Sequence, residues 1–87
     1  MADRNDAAAR IRGKIAALAR ELGRDPTGLS DDAVIPQTGL LDSASLITLI
    51  LWYEGEFGVS TEDEELTIDN FGTIRLMVDF LQRSSRS

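Results

Sequence analysis

The chain has 87 residues, 43% of them hydrophobic and 28% charged, which suits one small globular domain spanning 1–87 rather than a disordered segment. It contains no cysteine and no histidine. It therefore has no disulfide, no thiolate zinc site, no Ser-His-Asp arrangement and no histidine general base; intrinsic catalysis is disfavoured, and neither a catalytic residue nor a metal ligand is expected. A net charge of −6 disfavours nucleic acid, and no apolar run approaches the roughly 18 residues of a membrane span. The opening MADRNDAAARIRG lacks the apolar core of a secretory signal, so a cytoplasmic monomer is expected.

Residues 4–23 read as an amphipathic helix with Ile11, Ile15, Leu18 and Leu22 at i, i+4, i+7 and i+11, stopped by Gly23. Residues 24–42, punctuated by Pro26, Gly28, Pro36 and Gly39, read as one long loop pinned by Leu29, Val34, Ile35, Leu40 and Leu41. Loops of this length in so small a domain are more often functional than not.

Residues 43–57 include a nearly continuous apolar run that could be a buried strand, but caps at both ends favour helix. Asp42 and Ser43 supply the start, Gly58 the stop, and Leu46, Ile50, Tyr53 and Phe57 a stripe for the core. Ile47 and Leu51 fall beside Ala44 and Thr48, well off that stripe, with Trp52 further round. This surplus of apolar surface is either covered by the 24–42 loop or forms a protein-docking patch. Residues 59–66 read as an acidic connection, 69–72 as a short helical turn, and Thr73 as the cap of a last helix burying Ile74, Met77, Val78 and Leu81. The ordered part is expected at 4–82, with a frayed tail at 83–87. The expected fold is all-α: three main helices and one short one, with a long loop between the first two.

Charge is unevenly distributed. Residues 1–24 carry a local +3 and residues 70–87 a local +2, whereas residues 25–69 hold eleven Asp or Glu and no Lys or Arg. Such a belt attracts basic surfaces, or simply keeps the chain soluble. Glu62, Asp63, Glu64 and Glu65 read as a solvated run rather than as paired catalytic acids. Ser43 stands where unpaired backbone N–H groups favour an anion such as a phosphate ester, although a serine before a helix is more commonly a cap alone.

The wider pattern is more specific. Gly39-Leu40-Leu41-Asp42-Ser43 precedes an apolar helix, and Glu54-Gly55-Glu56-Phe57-Gly58-Val59 follows, with Phe57 fourteen residues after Ser43. Asp69, Phe71, Thr73 and Ile74 then form a D-x-F-x-T-I element. Over roughly 11–82 this resembles the acyl carrier protein family, whose hallmark is G-x-x-D-S-L or D-S-M with a later E-E-x-F-G segment and a D-x-[FL]-x-T-[IV] element. The resemblance implies a four-helix bundle without catalytic activity. It implies that a phosphopantetheinyl transferase, a holo-synthase using magnesium and coenzyme A, attaches 4′-phosphopantetheine to Ser43. The arm's thiol then carries a cargo as a thioester. It further implies that Asp42 positions the serine and the metal-bound coenzyme, that Gly39 permits the turn into the helix, and that Leu41 completes the attachment motif.

This chain departs from the family pattern in two respects. Ala44 replaces the usual Leu or Met, and Ile47, Thr48, Leu51 and Gly55 stand where fatty-acid carriers display acidic residues. A docking surface of Ala44, Ile47, Thr48, Leu51 and Trp52 would be more apolar and less salt-sensitive. The pattern is closest to stand-alone aminoacyl, D-alanyl and peptidyl carriers, loaded by an adenylating amino-acid or acyl ligase and unloaded by a downstream acceptor enzyme. A polyketide or fatty-acid carrier is the alternative within the family. An unmodified helical interaction module is the alternative outside it.

Overall fold

The computed structural model describes residues 4–61 and 68–84, and all regular structure among them is helical. Four helices follow in order: α1 (Arg4–Glu21), α2 (Ser43–Phe57), α3 (Ile68–Phe71) and α4 (Ile74–Ser84), with one 3-10 turn, Ile35–Gln37, in the long loop between α1 and α2. Helix α1 packs against α4 and α2, and the single-turn α3 packs against α4. The acidic run at 62–65 and the tail from 85 onward lie outside the described residues, and α4 continues to Ser84 rather than ending at Gln82.

The helices end where local chemistry ends them. After α1, the Gly23 N–H donates to the Arg20 carbonyl at 3.0 Å and the Arg24 N–H to Ala19 at 2.9 Å, the paired bonds of a Schellman turn. Gly58 ends α2 with φ +66°, a left-handed conformation that an L side chain adopts at a cost. Thr73 caps α4 as expected, its Oγ1 accepting from the Leu76 N–H at 3.0 Å.

The core joins Ile11, Ile15, Leu18 and Ala19 of α1 to Leu49 and Tyr53 of α2 and to Phe71, Ile74, Met77, Val78 and Phe80. Three expectations about burial need correction. Leu22 is exposed, because it stands in the turn that closes α1. The centre of the α2 core face is Leu49 and Tyr53; Leu46, Ile50 and Phe57 flank it and are only half-buried. On α4, Phe80 is fully packed while Leu81 is intermediate. For α2 and α4 the cause is aromatic clustering: the Tyr53 ring contacts Phe57, Phe71 and Phe80, and Phe71 stacks edge-on against Phe80 at 5.1 Å. This cluster rotates α2 and α4 toward their shared rings.

The loop between α1 and α2 is fastened to the bundle rather than draped over it. Ile35, almost fully buried, donates its N–H to the Gly72 carbonyl at 2.7 Å, and the Arg75 N–H donates to the Asp31 carbonyl at 3.0 Å. Asp31 also pairs with Arg12 of α1, and Asp32 receives both Nε and Nη2 of Arg75, at 2.5 and 3.0 Å. Leu41, 5% exposed, seats the end of the loop in the core.

Candidate functional site at the start of helix α2

Each residue of the 39–43 segment has a distinct physical task. Gly39 adopts φ +75°, reversing the chain after the Thr38 turn, in which Oγ1 donates to the Ile35 carbonyl at 2.7 Å and accepts from the Leu40 N–H at 3.2 Å. Leu41 is the anchor. Asp42, in extended conformation, is the N-cap: its Oδ1 accepts from the Ser45 N–H at 2.8 Å. Ser43 is thus the first residue of the helix and is exposed. The side-chain cap of α2 is Asp42, and the exposed Ser43 is the helical residue that follows it.

The electrostatics agree with an anion at this point. The Ser45 backbone N–H and then its hydroxyl hold the Asp42 carboxyl below the usual carboxylate range, with a smaller contribution from the positive charge of Arg24. The unpaired N–H groups of the first turn and the positive end of the helix dipole favour a phosphate ester on the Ser43 oxygen. Beside the serine, Ala44 is small and exposed, and Thr48 turns its hydroxyl back onto the Ala44 carbonyl at 3.0 Å.

Of the surface residues singled out from the sequence, Ala44, Ile47, Thr48 and Leu51 are all exposed, Ile47 and Leu51 by 63% and 64%. Trp52 does not join them. It lies on the opposite flank of the core face, half-buried, with its ring edge-on to Phe57 at 5.9 Å.

Beside Ile47 and Leu51 lies a cavity of about 350 Å³ between α2, the 3-10 turn and the end of α3 at Phe71 and Gly72. Leu46, Ile50, Ile35 and Phe71 supply apolar wall, and Glu54 and Thr61 supply its polar end. Glu54 Oε2 accepts from the Thr61 N–H at 2.7 Å and from its hydroxyl at 3.0 Å, and Thr61 is buried. Neither the Glu54–Thr61 pairing nor the cavity was anticipated from the sequence; the pairing spans seven residues across the α2 stop, and no local motif announces it.

The acidic belt is also changed by folding. Asp31, Asp32 and Glu56 are paired with Arg12, Arg75 and Arg10, which come from the basic flanks of the chain. Part of the belt is therefore neutralised internally instead of being presented to a partner.

A family model, phosphopantetheine attachment site, matches residues 15–81. The match covers well over half of the chain, and the chain belongs to that family. No curated protein and no solved structure matches it significantly. The family is one of non-catalytic carriers bearing covalent 4′-phosphopantetheine, served by phosphopantetheinyl transferases and by the enzymes that load and unload the arm. The all-α bundle described above is the fold such a carrier has. Among the described residues, no helix is long and apolar enough to cross a membrane.

Proposed function

We propose that Ser43 bears the phosphopantetheine and that the chain carries an aminoacyl group between a cytoplasmic adenylating ligase and an acceptor enzyme. The single observation that supports Ser43 most strongly is the division of labour at the helix start: Asp42 caps, and Ser43 is exposed at the first helical position. The arm supplies a thiol that holds the cargo as a thioester in a chain without cysteine. The chain's own contribution is to present the hydroxyl at the positive end of α2, to keep the entrance clear with Ala44, and to hold the approach in place through Gly39 and Leu41. Ile47, Thr48 and Leu51 form the docking face for the partners; Trp52 belongs to the packing on the other flank.

Support for an aminoacyl cargo comes from that face, which has no acidic side chain between Ser43 and Glu54. The apolar cavity favours a second reading, an acyl carrier of the polyketide or fatty-acid type. The test is intact mass after incubation with coenzyme A, magnesium and a broad-specificity phosphopantetheinyl transferase. A gain of one phosphopantetheine that disappears in Ser43→Ala is expected, and no gain on folded protein overturns the assignment. Holo-protein is then offered to amino-acid ligases and to acyl ligases, and the added mass separates the two cargo readings.

A further inference from the structure

Ser43, Ile47, Ile50 and Glu54 recur at i, i+4, i+7 and i+11, so they lie along one side of α2. The stripe starts at the exposed serine, runs over two isoleucines that line the cavity, and ends at a carboxylate in the same cavity wall. Eleven residues of helix span about 16 Å, a distance an extended phosphopantetheine arm covers.

The two ends of the stripe are electrically opposite. The start of α2 is the positive end of its dipole and suits a phosphate; its end is negative, and Glu54 adds a full negative charge there. Both bonds from Thr61 end on Oε2 of that carboxylate, which holds it at the polar end of the cavity. An acyl chain has neither a charge nor a hydrogen-bond donor to offer this group, and covering a carboxylate with apolar surface costs solvation. An aminoacyl group ends in an α-amine with a pKa of about 8, protonated at neutral pH.

We propose that Glu54 is the cargo-selecting residue of this carrier, receiving the protonated α-amine of an aminoacyl group whose arm lies along the Ser43–Ile47–Ile50 stripe. This assignment rests on the aminoacyl reading above and names the residue that would enforce it.

The test loads the protein from coenzyme A analogues in which a hydrolysis-stable amide replaces the thioester, using the phosphopantetheinyl transferase and no ligase. One analogue carries an alanyl group; the other carries isobutyryl, the same shape with a methyl in place of the ammonium. In the wild-type protein the alanyl amine should titrate about one pH unit higher than in the free analogue. The Ile47 and Ile50 methyl resonances should move with alanyl and not with isobutyryl. In Glu54→Gln both effects should vanish while the melting temperature confirms the fold. An alanyl amine that titrates as in the free analogue in wild-type protein overturns the proposal, as does an equal response to isobutyryl. Failure of the transferase to add either analogue would overturn the Ser43 assignment and this one together; loading without the amine effect overturns this one alone.

Discussion

The phenol of Tyr53 donates to the backbone carbonyl of Met77 at 2.6 Å, inside the core and between helices α2 and α4. This bond ties the helix that begins at Ser43 to the helix that ends the bundle. It also keeps the ring in contact with Phe57, Phe71 and Phe80.

Replacing Tyr53 with Phe keeps the ring packing and removes the bond, so a loss of about 1 kcal/mol is expected in denaturant unfolding. Burial pushes the Tyr53 phenol above its ordinary value, because the charged form is poorly solvated there. A group with a raised folded pKa contributes stability that is complete below its unfolded pKa, about 10, and declines as pH rises past it. Thermal melts from pH 8 to pH 11.5 should show this alkaline decline in the wild type and a shallower one in Tyr53→Phe.

Leu49 and Leu51 are two residues apart and should behave oppositely. Leu49, 2% exposed, is expected to cost about 2–5 kcal/mol as Leu49→Ala. Leu51→Ala, on the exposed face, should change stability by no more than about 0.5 kcal/mol. Its effect belongs in partner affinity, read by titrating the transferase or ligase against each variant.

At the helix start, Asp42→Ala should lower stability by about 1 kcal/mol, since it removes the cap bond to Ser45. Ser43→Ala should leave the melting temperature nearly unchanged. Scanning both variants by calorimetry separates the residue that holds the helix from the residue proposed to bear the arm. Equal losses would mean that the serine shares in capping.

Acid should loosen the loop that leads into α2. The Arg75 guanidinium, through its hydrogen bonds and charge, holds the Asp32 carboxyl below its ordinary value, and the Ser45 N–H does the same for Asp42. Depressed carboxylates contribute stability that is present above about pH 4 and lost as pH falls further through their folded values. Melts between pH 6 and pH 2.5 should show an acid decline that is smaller in Asp32→Asn. Both groups are exposed, so high salt should weaken the Asp32 contribution.

The boundaries of α2 were legible in the sequence because they are set locally: an aspartate cap at one end and a left-handed glycine at the other. The turn at Gly39 and the cap at Asp42 were legible for the same reason, each acting within a few positions of itself. The rotation of α2 was not. Leu46, Leu49, Ile50 and Tyr53 are all apolar, so several stripes fit the helical period, and contacts with Phe71 and Phe80 choose among them. The pairing of the acidic belt was hidden because its arginines lie far along the chain. A sequence stretch with no basic residue suggests an unpaired surface, and only the fold shows that Arg12 and Arg75 reach it.

The fastening of the 24–42 loop makes the placement of Ser43 depend on contacts distant in sequence. Asp31 and Asp32 pair with arginines 19 and 43 residues away, and Ile35 bonds to Gly72, so the path of the loop depends on α1 and on the segment that begins α4. An incompletely folded copy still contains residues 39–43, but not the oriented helix start that they form in the bundle. Discrimination between finished and unfinished carriers is therefore available to any enzyme that reads the shape of this corner rather than its sequence.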